Sequence, residues 1–313
     1  MRVGILCDNR RFANPEEPFA SLKAGLEVLG HSVQVLAPSA DCRLGGFSEL
    51  PEALFLWNGR KGFWGQVAAD ARRRGLHVIV MERGFFDRYR FTQLDPQGFS
   101  HTASWARQDI LRAPAPPEGQ ARFVGSYGRL PQPLRSRRHG YLLLLLQVAC
   151  DSQLDGCELH HPLPLVQAVQ DASPCDLDIR VRVHPSSSWR FGWTGRARVI
   201  DGSLQDALAG ARFAVTINSN SGNEALAAGC PLLALGPASY TIARVARRCS
   251  LADLPRALAS MADGDLGPSE DQAPAAVRNY LFHLACRQFS TKELADPALL
   301  AGLLAPHRLR TGR

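Results

Sequence analysis

Residues Phe213 to Tyr240, FAVTINSNSGNEALAAGCPLLALGPASY, constrain the fold more than any other stretch of the chain. They read as a buried strand, a polar Ser/Asn/Gly turn, a short helix carrying Glu224, and a second strand. A strand that runs into such a turn at the start of a helix aims several unpaired backbone N–H groups at one point. The helix dipole adds to them, so the turn suits a phosphate. It lacks the GK[ST] ending of a Walker loop and the GxGxxG spacing of a dinucleotide loop. Strands that alternate with helices in this way imply a parallel sheet covered on both faces.

The same alternation runs through the rest of the chain. MRVGILC (1–7) is a strand, Phe19 to Leu29 has helical spacing that Gly30 can close, and Ser32 to Ala37, ALFLWN (53–58) and HVIVME (77–82) are strands. Gln66 to Arg74 is a helix with a basic outer face. A Pro/Arg/Gly-rich segment, about Arg112 to Gly140, then breaks the pattern and reads as the interdomain connection. Strands follow at Tyr141–Val148, 178–183, Arg198–Ile200, 213–218 and 231–235, and the tail beyond Asp253 is helical. The expected organisation is an N-terminal Rossmann-like domain over 1–125, a linker over 126–140 and a C-terminal domain over 141–313. Two such α/β domains on one linker suggest parallel sheets that face a cleft. A chain of 313 residues has room for two cores.

Composition excludes some classes. No apolar run is long enough to span a bilayer, and the N-terminus reads directly as a strand rather than a signal peptide. The eight cysteines form no CxxC pair, and Cys7, Cys150 and Cys230 lie in or beside apolar runs, which fits free thiols in a reducing cytoplasm. Net charge is +7, mostly from arginine clusters such as Arg10-Arg11, Arg72–Arg74, Arg135 with Arg137-Arg138, and Arg247-Arg248. That balance favours an anionic partner, although scattered pairs also suit an ordinary soluble surface.

In doubly wound sheets ligands sit beyond the carboxyl ends of the strands, and four polar clusters fall there. Gln147, Asp151, Ser152 and Gln153 follow one buried strand; His184, fixed at a strand rim by Pro185, precedes Ser186 to Ser188. Asn218, Ser219, Ser221 and Gly222 form the opening turn, and Glu224 is placed to accept hydrogen bonds from ribose hydroxyls. The fourth cluster lies in WNGRKG (57–62) and MERGFFDRYRFTQLDPQGFSHTASW (81–105). There Trp57, Asn58, Lys61, Arg83, Phe85, Phe86, Arg88 and Arg90 interleave aromatic and basic groups, a pattern suited to sugars or unstacked bases. Glu82, Asp95 and Asp8 are the carboxylates placed to act as a general base. Asp176 and Asp178 have DxD spacing but sit in a turn after Pro174, so no metal site is expected, and the serines beside His184 lack a GxSxG elbow.

LQVACDSQ (146–153), VHPSS (183–187) and INSNSGNEALAAGCPLLALGPASY (217–240), in that order, resemble the capsular-polysaccharide glycosyltransferase family that includes Kdo transferases. The resemblance implies a GT-B architecture whose C-terminal domain holds a nucleotide sugar, with no further cofactor. Donor contacts carried over by position are Gln147, Asp151, Gln153, His184, Ser219, Ser221, Gly222 and Glu224. Glu224 is closer to the pattern of GT-B enzymes that use UDP-sugars, which implies a UDP-type donor. The segments 57–62 and 81–105 resemble instead compact transferases of bacteriophage genomes that decorate hydroxymethylated pyrimidines. With the basic charge, that implies DNA as acceptor, reached by base flipping near Phe85 to Phe91. The alternatives are a capsule enzyme with a glycan or glycolipid acceptor, and a binding module without activity.

Overall fold

The computed structural model describes residues 1–37, 44–149, 151–187, 195–264 and 274–305. Cys150 and Ser188 lie outside the described residues. The chain divides into two compact units. Met1–Ser104, with the chain from Cys286 on, forms the first, and Trp105–Ala285 forms the second. This moves both sequence-based boundaries, and the reason lies in the packing of two segments described below.

The strands, in chain order, are β1 (Arg2–Leu6), β2 (Ser32–Leu36), β3 (Ala53–Trp57), β4 (His77–Arg83), β5 (Phe91–Asp95), β6 (Tyr141–Leu145), β7 (Ile179–Arg182), β8 (Arg198–Val199), β9 (Ala211–Thr216), β10 (Leu232–Ala234), β11 (Arg247–Arg248) and β12 (Phe289–Ser290). The first unit holds a sheet in the order β12-β5-β4-β3-β1-β2. β2, β1, β3 and β4 run parallel, while β5 is antiparallel to β4 and β12 antiparallel to β5. The antiparallel edge was not legible as strand, because aromatic and polar residues alternate there with turn residues. The second unit's sheet, β11-β10-β9-β6-β7-β8, is parallel throughout. Renumbered from its first strand, that order is 3-2-1-4-5-6, the doubly wound arrangement with its switch point between β6 and β9.

Sequence explains these sheets. β6 is YLLLL with all five residues buried, and β3 buries Ala53 to Leu56, as expected of strands covered on both faces. The helix Phe19–Val28 buries Phe19, Leu22, Gly25 and Leu26 at helical spacing, and Gly30 follows it with φ +76°. A Cβ at Gly25 would lie 2.7 Å from Leu300 Cδ1 and 2.8 Å from the Ala295 carbonyl oxygen. That close approach docks the C-terminal helix Pro297–Leu304 on the first unit, with Leu294 and Leu300 fully buried.

The proline-rich connection is also reassigned. Within it, Gly119–Tyr127 forms a helix that belongs to the second unit. Phe123 is fully buried there, 5.8 Å from the ring of Phe282 on the helix Pro274–Ala285. Asn279 pins the preceding loop by donating to the Ala113 carbonyl and accepting from the Ala115 N–H, both at 2.7 Å.

Candidate nucleotide-sugar and acceptor sites

At the switch point of the second unit, Gln147 follows β6 and Asn218 follows β9. Gln147 Nε2 donates to Asn218 Oδ1 at 2.9 Å, and the Asn218 N–H donates to Gln147 Oε1 at 3.2 Å. Both residues are buried, and Asn218 Nδ2 also donates to the carbonyls of Gln153 and Pro237. Their polar atoms are engaged with protein partners beneath the strand-end turns. The sequence expectation places both among the donor-binding residues; the structure shows their amides bonded to each other and to neighbouring carbonyls. The pairing is still specific, because an unpaired amide in this position would cost about 1–3 kcal/mol.

The more accessible groups are placed one by one. Asp151 Oδ1 accepts from the Gln153 N–H at 2.9 Å and Oδ2 accepts from Gln147 Nε2 at 3.2 Å, which fixes the turn Ser152–Leu154. Asp151 and Gln153 are half-buried, whereas Ser152 is buried. His184 lies just beyond β7, half-buried, and its Nδ1 accepts the Ser186 N–H at 3.1 Å. That contact assigns the proton of the neutral ring to Nε2. Ser219 Oγ accepts from the Ser221 N–H at 3.3 Å, and the Ser219 carbonyl accepts from the Gly222 N–H at 3.0 Å and from Tyr240 at 3.2 Å. Glu224 is half-buried in the first turn of the helix Ser221–Ala227.

Gly222 has a different task from the one expected. A Cβ there would lie 2.8 Å from both Leu232 Cδ2 and Tyr240 Cε1. Glycine is therefore required for helix-to-strand packing. Behind it, Tyr280 donates to Asn223 Oδ1 and meets Ser239 Oγ, each at 2.7 Å. Burial pushes the hydroxyls of Tyr240 and Tyr280 upward, so both stay neutral hydrogen-bonding groups. Sequence reasoning missed Tyr280, which lies far along the chain from the motif it supports.

In the first unit the switch point falls between β1 and β3, followed by Asp8 and by Asn58. Asp8 caps the helix Asn9–Ala13 by accepting the Arg11 N–H at 2.8 Å. Asn58 takes φ +63° and directs Nδ2 at Glu82 Oε2, 3.5 Å away. Glu82, half-buried near the end of β4, also accepts the Arg83 N–H at 2.8 Å. Asp95 is buried and accepts from the N–H groups of Gln97, Gly98 and Ser104 and from Ser104 Oγ. Asp95, expected among the candidate bases, organises the turn that follows β5.

The aromatic and basic face is rearranged as well. Phe85 and Phe86 are each 1% exposed, and their N–H groups donate to Gln288 Oε1 at 2.6 and 3.0 Å. Neither ring offers a surface for stacking a base. Arg88 Nε donates to the Gly84 carbonyl, and Arg90 pairs with Asp87. Arg83 binds Glu17 at 2.6 Å, and Arg11 binds the same carboxylate at 2.7 Å. Both guanidinium groups also lie over Trp57, with centroid distances of 4.4 Å for Arg11 and 5.1 Å for Arg83. Burial alone would raise the Glu17 pKa, but hydrogen bonds from Arg83 and Arg11 hold it below the ordinary 4.5. Glu17 and Arg11 were missed as site residues because no local motif joins them to Arg83. Lys61 is exposed at the start of the helix Gly62–Arg73. Asp178 of the DxD pair engages Arg180 and Arg198.

No protein-family model matches the chain, and no curated protein matches it. Two solved structures from Thermosulfurimonas dismutans align along nearly its whole length. The KpsC β Kdo 2,4 transferase does so with a TM-score of 0.51 and 18% identity, covering 90% of this chain and 98% of that one. The KpsC β Kdo 2,7 transferase has a TM-score of 0.57 and 16% identity, with coverage of 96% and 100%. At these identities the likeness is one of fold, and it extends through the N-terminal half. The resemblance of that half to phage transferases finds no support in it.

Proposed function

We propose that this chain, which has the GT-B fold, is a glycosyltransferase that moves a sugar from a nucleotide-sugar donor to a glycan or glycolipid acceptor. The observation that carries the reading is the reciprocal Gln147–Asn218 pair at the switch point of the second sheet. Asp151, Gln153, His184, Ser219, Ser221 and Glu224 follow the ends of β6, β7 and β9 around it, and offer hydroxyls and backbone N–H groups for phosphates and a carboxylate for ribose. His184 Nε2 is the donor we assign to the diphosphate. Glu224 favours a UDP-type donor. Both KpsC structures are Kdo transferases, which supports sugar transfer as the reaction.

DNA as acceptor loses its footing. That reading rested on Phe85 and Phe86 as stacking groups and on arginines for phosphates, yet both rings are buried, Arg88 donates to the Gly84 carbonyl and Arg90 is held by Asp87. We assign acceptor recognition to Trp57, Asn58, Lys61 and the Arg11–Glu17–Arg83 cluster, and the proton-accepting role to Glu82. A sugar hydroxyl is a weak nucleophile, so it loses its proton to a carboxylate as the bond to the donor breaks.

The test is transfer of labelled sugar from UDP- and CMP-linked donors to capsule-type glycolipid, hydroxymethylated DNA and plain DNA. Transfer to the glycolipid is expected, and Glu224→Ala should lower kcat/KM about 10- to 100-fold, the value of a hydrogen bond to a charged group. Transfer to modified DNA alone would overturn the acceptor. No transfer from either donor to any acceptor would overturn the activity.

A further inference from the structure

The segment from Arg129 to His139, RLPQPLRSRRH, crosses the second unit without helix or strand. It is nevertheless fixed. The Gln132 N–H donates to the Ala227 carbonyl at 2.9 Å, and the Arg135 N–H donates to the Gly229 carbonyl at 3.0 Å. At Gly229, with φ +72°, a Cβ would lie 2.3 Å from the Pro133 oxygen, so the two backbones are in close approach. Ser136 Oγ adds a bond to the Gly264 carbonyl at 3.2 Å.

The segment carries four arginines, and three of them are held by neutral partners. Arg129 donates to Gln205 Oε1, Arg135 to Gln132 Oε1 and Arg137 to the Ala209 carbonyl. Arg129, Arg135 and Arg137 line an open pocket of about 240 Å³ that contains no acidic side chain. On the other side Arg138 and His139 line a second pocket of about 400 Å³ with Arg212, Asp176 and Asp263. Leu130, next to Arg129 in the segment, is 48% exposed. The face lies where the chain enters β6 and β10, at the end of the unit opposite Gln147 and Asn218.

We propose that this face docks the protein on anionic phospholipid at a membrane surface. Arg129, Arg135 and Arg137, held by neutral partners, match a plane of negative headgroups, Arg138 adds a fourth positive charge beside them, and exposed Leu130 can enter the interface below. Among the described residues no helix is long and apolar enough to cross a membrane, so the contact is peripheral. A nucleic acid fits less well, because the aromatic ring nearest the arginines, Tyr127, is half-buried against Phe123 at 5.1 Å. The proposal stands apart from the sugar chemistry and needs no donor or acceptor for its test.

The experiment is sedimentation of the whole chain with vesicles of phosphatidylcholine alone, or of phosphatidylcholine with phosphatidylglycerol at about 3:1. Binding to the anionic vesicles only is expected, and it should fall as salt rises. The triple variant Arg129→Gln, Arg135→Gln, Arg138→Gln should lower partitioning about 100-fold, at about fivefold per arginine. Arg137 is left in place because it closes the end of the helix Leu204–Gly210 through the Ala209 carbonyl. Leu130→Ser should weaken binding without changing its salt dependence. Equal binding to both vesicles contradicts the proposal. So does an unchanged partition of a triple variant that melts like the parent, or tighter binding to duplex DNA than to anionic vesicles.

Discussion

Gly222 shows how one residue type can be legible while its reason is not. NSNSGNE marks a turn where glycine belongs, and a phosphate cradle is the natural reading. The structure instead places Leu232 and Tyr240 against the missing Cβ. Gly222→Ala should therefore lower stability by about 1–3 kcal/mol through overpacking, read as a shift in the denaturant midpoint at constant slope. Glu17 presents the opposite case, a role no local pattern announces. Its pKa is depressed in the folded protein, so its contribution to stability is complete above the ordinary glutamate value and is lost as pH falls through the folded value. The expected result is that stability falls more steeply below pH 4.5 in the parent than in Glu17→Gln, measured by urea unfolding across that range. Arg83→Ala, which removes one of the two guanidinium partners, should cost about 1.5–3 kcal/mol near neutral pH.

At the scale of elements, the parallel strands were legible because burial on both faces writes continuous apolar runs such as LLLL and ALFLW. β5 and the helix Gly119–Tyr127 were not. The first is an antiparallel edge whose residues Thr92 to Asp95 are buried through hydrogen-bonded polar groups as much as apolar ones. The second sits among prolines, which suggested a linker, yet Pro116 and Pro117 merely precede its first turn, where proline is tolerated. Its stability depends on Phe123, fully buried against Phe282. Phe123→Ala should cost about 3–5 kcal/mol, seen in the melting of the second unit. Tyr127→Ala, at the half-buried end of the same helix, should cost less.

At the scale of the whole molecule, strand–helix alternation predicted two Rossmann-like units but could not show that the chain returns to the first one after Ala285. Leu294 and Leu300 are ordinary apolar residues, and nothing in their spacing names the surface they cover. A fragment over 105–285 should fold cooperatively, because it holds the whole second sheet and both helices that bury Phe123. A fragment over 141–313 lacks one of those helices and carries β12 without its partner β5, so it should unfold at lower denaturant or aggregate. Circular dichroism on the two fragments compares them directly.

The central claim is that a nucleotide sugar binds at the strand ends around Gln147 and Asn218. Its most direct test is an amide NMR titration of the whole chain with UDP and with CMP. Shift changes should gather at Gln147, Asp151 to Gln153, His184 and Ser219 to Glu224, and Glu224→Ala should weaken them about tenfold or more. Saturable changes confined to other parts of the chain, or none with either nucleotide, would contradict the assignment.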